Sequence, residues 1–178
     1  MPGQIKILVL FGTRPETIKL APVISELKNR RGNFAMRVVS SSQHTDLLVP
    51  FLDIFDIKPD YDLRVMTENQ TPNTVCARVL QGLEEIFDRE KPDCVLVQGD
   101  TTTAFAGAFA AFNRKIKIGH VEAGLRSGNP DSPFPEEMNR RLISQMATFH
   151  FAATSRNREN LRAENADETK IFLTGNTV

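Results

Sequence analysis

Residues 95–141 read VLVQGDTTTAFAGAFAAFNRKIKIGHVEAGLRSGNPDSPFPEEMNRR, and this stretch decides the fold of the chain. It contains two short patterns that are typical of buried strands, at residues 95–97 and 116–121. The Ala- and Phe-rich segment between them, residues 102–113, is predicted to form a helix. A strand–helix–strand unit of this kind is almost always a right-handed crossover between parallel strands.

A carboxylate follows each of these two predicted strands. Asp100 comes after Gly99 beyond the first strand, and Glu122 comes directly after the second. A third carboxylate, Glu136, follows Pro135 at the start of the next helical pattern. Because parallel strands place their carboxyl ends at one edge of the sheet, we expect Asp100 and Glu122 to share that edge. Ligands bind at this edge in open α/β sheets.

The rest of the chain continues the alternation of strands and helices. Further strands are predicted at residues 5–11, 34–41, 60–63, 149–153 and 171–173. Further helices are predicted to start at Thr13, within residues 43–46, at Thr71 and at Pro135, and Ser155 is predicted to cap a last helix that runs to Asn165. Pro22 should kink or shorten the first helix. The alternation predicts a doubly wound, mainly parallel, Rossmann-like α/β domain.

The composition limits the class of protein. The chain has 178 residues, which suits one domain with a sizeable core, and Lys plus Arg equals Asp plus Glu at 22 each. We therefore expect no attraction to nucleic acid or to an anionic membrane. No apolar run approaches the roughly 20 residues of a membrane span. Cys76 and Cys94 form no CxxC pair, and the first residues read as a strand rather than a signal. Together these features predict a cytoplasmic protein without a metal site.

The turn after the first strand, from Gly12 to Glu16, is a candidate anion site. Free backbone amides and the positive end of the next helix favour a phosphate at such a turn. Arg14 adds a bidentate donor, and Lys19 lies about one helical turn further along. The pattern is neither the GxGxxG of dinucleotide folds nor a Walker loop. A tight turn with two solvated cations is the plainer interpretation.

Asp100 and Glu122 also have plainer interpretations. Asp100 could serve as the N-cap of the helix that follows it. Glu122 is expensive to bury without a partner, and His120 and Arg126 are the nearby candidates for a structural ion pair.

Glu136 could simply compensate the helix dipole and form a weak surface pair with Arg140. The combination of the three carboxylates with two cations is more specific than any of them alone, because paired carboxylates can divide acid and base roles. It predicts acid–base chemistry beside a nucleotide leaving group. Aromatic residues at helical spacing in the predicted helix at 102–113 indicate core packing, and these are Phe105, Phe109 and Phe112.

Four motifs give the chain a family resemblance. They are FGTRPE with a following IK, QGDTTT, HVEAGLR and SPFPEEMNR. Their order and context resemble those of the non-hydrolysing UDP-N-acetylglucosamine 2-epimerases, and the resemblance runs from Ile5 to Val178. It implies the N-terminal half of a GT-B-type two-domain fold. Residues 1–178 would be the N-terminal catalytic domain, with FLTGNTV at the interdomain boundary and the C-terminal UDP-binding domain outside this chain.

The resemblance also implies a reaction. Family members epimerise UDP-N-acetylglucosamine at C2 to UDP-N-acetylmannosamine, by elimination and re-addition of UDP through 2-acetamidoglucal. The product supplies N-acetylmannosamine units for cell-surface polysaccharide. Carried over by motif, Asp100, Glu122 and Glu136 would be catalytic, and Arg14 and Lys19 would bind the UDP-sugar substrate together with Asp100 and Glu122. No cofactor is implied, the full-length protein would be a homodimer, and the fragment alone would be inactive.

A second, regulatory UDP-N-acetylglucosamine site is implied for allosteric bacterial members. This chain keeps Gln43 and His44 of that site, but Asp46 stands where a second amide is expected and Asn69 where an arginine is expected. Losing a bidentate phosphate donor and gaining a negative charge both disfavour a diphosphate. We expect this site to be lost unless a neighbouring arginine substitutes.

Other functions stay open at this point. A GT-B-type glycosyltransferase would share the fold and the UDP-sugar, although the three carboxylates argue against it. A non-catalytic binding module is a second possibility for a half-length chain. A hydrolysing UDP-N-acetylglucosamine 2-epimerase, releasing free N-acetylmannosamine and UDP, is a variant of the main hypothesis.

Overall fold

A computed structural model describes residues 3–42 and 45–178, with the backbone alone at 45–47 and 49. In this part of the chain, seven parallel strands form one sheet in the order β3-β2-β1-β4-β5-β6-β7. The strands are β1 (Ile5–Phe11), β2 (Phe34–Ser40), β3 (Tyr61–Asp62), β4 (Cys94–Gln98), β5 (Lys117–Ala123), β6 (Phe149–Ala152) and β7 (Ile171–Leu173). The predicted doubly wound, parallel fold is confirmed.

Helices connect the strands and cover both faces of the sheet. They are α1 (Arg14–Asn29), α2 (Thr45–Ile54), α3 (Pro72–Glu90), α4 (Thr102–Asn113), α5 (Glu136–Met146) and α6 (Ser155–Ala163), with a short 3-10 helix at Glu168–Lys170. None of the helices in the described ranges has both the length and the apolar character needed to cross a bilayer.

Alternate side chains of the central strands point to opposite faces of the sheet, and each face has its own hydrophobic core. Leu8 and Leu10 of β1 pack with side chains of α3, α4 and α5 on one face. Val9 and Phe11 pack with side chains of α1 and α2 on the other. All four are fully buried, which explains why the β1 sequence is an almost continuous apolar run rather than an alternating one.

Helix α4 lies very close to the sheet, and this turns its aromatic residues outward. An added Cβ at Gly107 would come within 2.2 Å of the Leu10 side chain, so a larger residue there would require Leu10 to move. The small residues of α4 therefore face the sheet. Phe109 and Phe112 are 38% and 54% exposed, so their predicted core packing is wrong, while Phe105 packs at the edge of the core.

Most predicted elements are confirmed, with three corrections. Helix α1 continues through Pro22, so it is not shortened there; Ala21 and Ile24 are buried on either side, and their packing holds the helix together. Thr154, not Ser155, caps α6, because its side chain accepts a hydrogen bond from the Asn157 amide. Residues 43 and 44, predicted to open α2, lie outside the described residues.

The third correction concerns the end of strand β5, where Glu122 of the candidate site lies. Strand β5 extends to Ala123, so Glu122 lies inside the strand rather than after it. Gln98 of β4 pairs with Val121 of β5, and the Gly99 amide donates to the Val121 carbonyl at 3.0 Å. The end of β4 and the end of β5 are thus neighbours, as the parallel topology predicts.

Candidate active site

Glu122 has an unusual backbone conformation. Its register with β6 shifts between Val121 and Ala123, which is a bulge, and its φ angle is +64°. A left-handed conformation in a residue with a side chain costs about 1–3 kcal/mol, and strain of this kind is enriched at functional sites. Gly99 beside it also has a positive φ, and an added Cβ there would lie 3.7 Å from the Glu122 Oε2 atom.

Two side chains fix the Glu122 carboxylate. The Lys19 Nζ atom lies 2.7 Å from Oε1 and 2.5 Å from Oε2, and the Gln98 amide donates to Oε2 at 2.6 Å. The predicted structural ion pair with His120 or Arg126 is therefore wrong. His120 Nε2 donates to the Gly99 carbonyl at 2.7 Å, so it is engaged elsewhere. Lys19 is 103 residues distant in sequence, and only the fold brings it to Glu122.

Arg126 pairs with Glu164, at the C-terminal end of α6, and not with Glu122. Its Nε and Nη2 atoms donate to the two oxygens of Glu164 at 2.8 and 2.6 Å, and Nη2 also donates to the Ser144 hydroxyl at 3.0 Å. Arg126 thus joins the loop after β5 to α5 and α6 and belongs to the scaffold around the site.

Asp100 lies against a buried arginine. The Arg140 guanidinium contacts the Asp100 carboxylate, and Asn139 donates to the Asp100 carbonyl at 2.9 Å. Burial raises the pKa of Asp100; the Arg140 charge opposes this, and the charges of Glu136 and Glu122 add to it. The capping role suggested for Asp100 is wrong, because Thr101 is the N-cap and accepts from the Ala104 amide at 3.0 Å.

Glu136 is the first residue of α5 and is half-buried. Its charge is close enough to Asp100 to contribute to the raised pKa of that carboxyl. The predicted surface pair between Glu136 and Arg140 is not what the structure shows. Arg140 is buried and faces Asp100 and Glu137 instead, with 3.3 Å between Nη1 and the Glu137 Oε2 atom.

Glu137 was missed from the sequence. It is fully buried, accepts from the Ser127 amide at 3.0 Å, and receives the Arg141 guanidinium at 3.0 Å. The sequence did contain a signal for Glu137, namely its i,i+3 spacing to Arg140 and its i,i+4 spacing to Arg141. Glu137 holds Arg140 in place, and Arg140 in turn holds Asp100.

The turn from Gly12 to Glu16 is already filled by a carboxylate of the chain. Glu16 Oε2 accepts from the Gly12 amide at 3.0 Å and from the Thr13 amide and hydroxyl at 2.8 Å each. The free amides predicted here for a phosphate are therefore occupied. The T-x-x-E spacing from Thr13 to Glu16 is the capping-box signal that could have indicated this.

Arg14 lies at the first helical position of α1, at the same edge of the sheet. It is exposed, and its guanidinium lies 5.7 Å from the centroid of the Phe51 ring, within cation–π range. The structure thus connects Lys19 with Glu122, and Asp100 with Glu122 and Glu136, whereas Arg14 at the start of α1 contacts Phe51.

The predicted second site is described only in part. Gln43 and His44 lie outside the described residues, and only the backbone of Asp46 is described. Asn69 is exposed with a φ of +53°. The two arginines that could replace the expected one are engaged locally: Arg64 lies 3.7 Å from Asp62, and Arg78 donates to the Val65 carbonyl at 3.1 Å.

The fold and this edge define a class of protein: a Rossmann-like α/β domain with carboxylates and cations clustered at the carboxyl ends of its strands. A family model described as UDP-N-acetylglucosamine 2-epimerase matches residues 25–178, and the chain belongs to that family.

Individual relatives are similar over nearly the whole chain. The UDP-N-acetylglucosamine 2-epimerase of Campylobacter jejuni is 51% identical over 174 residues, covering 97% of this chain and 45% of the relative. The UDP-GlcNAc 2-epimerase of Neisseria meningitidis, solved with UDP-GlcNAc bound, superimposes with a TM-score of 0.92 at 47% identity, covering 97% of this chain and 47% of that structure. The chain thus spans less than half the length of these relatives. A lipopolysaccharide outer core galactosyltransferase shares the fold alone, with a TM-score of 0.68 at 13% identity.

Proposed function

We propose that residues 1–178 form the N-terminal catalytic domain of an enzyme that interconverts UDP-N-acetylglucosamine and UDP-N-acetylmannosamine, with a C-terminal UDP-binding domain in the remaining length that the relatives have. The observation that carries this proposal is the Glu122 carboxylate held by Lys19 and Gln98 beside Asp100 and Glu136. Family membership and the UDP-GlcNAc bound to the Neisseria relative support the same substrate. The product would supply N-acetylmannosamine units for cell-surface polysaccharide.

The chemistry of the substrate requires such a site. The proton at C2 of the sugar is not adjacent to a carbonyl, so simple removal gives no stabilised anion. When a base removes it as the C1–O bond breaks, the electron pair forms the C1–C2 double bond and UDP leaves as an anion. The product of this step is 2-acetamidoglucal. Returning the proton to the opposite face of C2, while the UDP oxygen attacks C1, gives the epimer.

The structure offers groups for both halves of this reaction. Asp100 has a raised pKa and Glu122 is held between a lysine and an amide, so the two carboxylates lie in different environments. Such pairs can divide proton removal and proton return between them. Glu136 is the third carboxylate of the proposed catalytic group, and the exposed Arg14 at the start of α1 is proposed to bind the departing diphosphate.

The direct test is turnover by the full-length protein, meaning this chain followed by its second domain. We expect UDP-N-acetylglucosamine to be converted to UDP-N-acetylmannosamine without an added acceptor, as followed by NMR. The 178-residue chain alone should unfold cooperatively but give no turnover, because it provides one wall of the cleft. A requirement for an acceptor would indicate a glycosyltransferase, and release of free N-acetylmannosamine would indicate a hydrolysing enzyme.

The full-length protein is proposed to be a homodimer. Helices α4 and α5 pack against each other and present apolar side chains to solvent. The exposed fractions are 38–54%, at Phe109, Phe112, Met138 and Leu142. Exposed apolar patches mark interaction sites on soluble proteins, so we propose this pair of helices as the dimer surface.

The altered second site leads to a prediction about regulation. We expect the full-length protein to epimerise UDP-N-acetylmannosamine without added UDP-N-acetylglucosamine, because Asp46 and Asn69 remove favourable contacts with a second diphosphate. The measurement is an initial rate from the manno isomer alone. A lag that a trace of the gluco isomer abolishes would show that the regulatory site is intact.

A further inference from the structure

Glu16 is a buried carboxylate to which the proposed reaction gives no role. It is 1% exposed. Its Oε2 atom accepts from the Gly12 amide and from the amide and hydroxyl of Thr13, and its Oε1 atom accepts from the Thr101 hydroxyl at 2.8 Å. The two amides can only donate and the two hydroxyls can donate, so these four hydrogen bonds favour the ionised carboxylate and oppose burial, which raises the pKa of Glu16.

These partners lie on two different turns. Gly12 and Thr13 follow β1, whereas Thr101 follows β4 and caps α4. Strands β1 and β4 are neighbours in the sheet. Glu16 therefore joins the ends of two adjacent strands at the edge where the candidate active site lies.

The two turns carry opposite sides of that site. Helix α1, which begins at the first turn, carries Arg14 and Lys19. Asp100 directly precedes Thr101 in the second turn. The Glu16 carboxylate thus connects the turn before the cationic side with the turn that carries Asp100.

We propose that Glu16 is a positioning residue: it fills the amide cradle at the start of α1 as an internal anion and holds that helix against the Asp100 turn. A phosphate commonly occupies such a cradle at a helix N-terminus. Here the carboxylate of the chain takes its place, so the diphosphate of a substrate must be bound by side chains and by the second domain. The inference rests on the proposed function for its catalytic consequence, but not for its structural one.

The structural consequence is testable in the 178-residue chain without any assay of activity. Replacing Glu16 with Ala leaves a small cavity lined by the Gly12 and Thr13 amides, and formate has the size and charge to enter it. We expect Glu16→Ala to lower the Tm. Formate at a concentration well above its Kd should then raise the Tm by at least about 2–4 °C over equal chloride.

A matched control separates this effect from general salt effects. Leu20→Ala creates a cavity on the same helix at a fully buried apolar position. Its Tm, like that of the wild type, should be equal in formate and chloride. An equal Tm of Glu16→Ala in both salts, or failure of that variant to fold in either, would overturn the proposal.

The catalytic consequence is tested in the full-length protein. Glu16→Ala should lower kcat at least tenfold, because α1 is released and Lys19 no longer stays on Glu122, and formate should restore part of the loss. Glu16→Gln keeps the shape and the hydrogen-bonding reach, so it should retain most of the wild-type kcat. A Glu16→Ala enzyme with wild-type kcat would contradict the positioning role. An inactive wild-type protein would count against the proposed function, while the formate experiment would still decide the role of Glu16.

Discussion

Replacing Glu122 with Gln in the full-length protein is expected to slow solvent deuterium incorporation at C2 of the sugar by at least about 100-fold, equivalent to ~2.7 kcal/mol of barrier. Gln has the same size and can still accept a hydrogen bond from Lys19, but it cannot take a proton. The rate is measured in D₂O from the loss of the C2 proton signal. Asp100→Asn and Glu136→Gln should show losses of the same order.

Loss of folding must be separated from loss of chemistry in this experiment. Glu159→Gln is a matched change at an exposed position on α6 and should leave the exchange rate unchanged. The Tm of Glu122→Gln should show that the variant is folded. If its exchange rate stayed within about tenfold of wild type, or ~1.4 kcal/mol of barrier, the acid–base role of Glu122 would be wrong.

Acid should destabilise the 178-residue chain through a pair of buried histidines. His120 and His150 are neighbours on β5 and β6, both are buried, and each has an unpartnered Nδ1 atom. The pKa of His120 is lowered from 6.5 to about 3, mainly by burial and also by the charges of His150, Arg126 and Arg140, while the hydrogen bond to the Gly99 carbonyl opposes this shift. Burial also lowers the pKa of His150.

The direction of the effect follows from these pKa values. Below pH 6.5 the unfolded chain binds a proton at His120 that the folded chain does not, so stability is lost as the pH falls from 6.5 towards 3. The slope for one such histidine approaches about 1.4 kcal/mol per pH unit. Carboxyls with a lowered pKa, such as Glu164 beside Arg126, lose their contribution only below their ordinary value of 4.5.

The measurement is the free energy of unfolding in urea at several pH values between 7.5 and 5. His120→Gln keeps a donor for the Gly99 carbonyl but cannot be protonated, so the variant should show a shallower loss of stability than wild type. Taking the difference between the two proteins cancels the contributions of the carboxyls. Equal slopes would mean that His120 takes up its proton as readily in the folded chain as in the unfolded one.

The sequence predicted the fold well because its strands are buried on both faces. Such strands read as short apolar runs, and the run at Ile5–Phe11 can be assigned without knowledge of its neighbours. The parallel topology then placed Asp100 and Glu122 at one edge by a general rule. Glu136 joined them as the first carboxylate of the helix predicted after Pro135, and the motif resemblance then implied the same three residues.

The partners of these carboxylates could not be predicted in the same way. Lys19 reaches Glu122 across the sheet edge, and the Arg140 contact with Asp100 joins α5 to the end of β4. Neither pair has a sequence spacing that identifies it. Local signals were present for Glu16 and Glu137, but their burial depends on helix packing, which a local pattern does not show.

The central place of β1 in the sheet has a consequence for synthesis on the ribosome. This strand is made first, and β2 can pair with one of its edges early. Its other edge waits for β4, as shown by the Lys6 amide, which donates to Asp93, 87 residues later. At about 5–20 residues per second, that delay is on the order of 4–17 seconds. During this time the backbone N–H and C=O groups along that edge of β1 are unpaired, and an unpaired strand edge is a site at which other nascent chains can add.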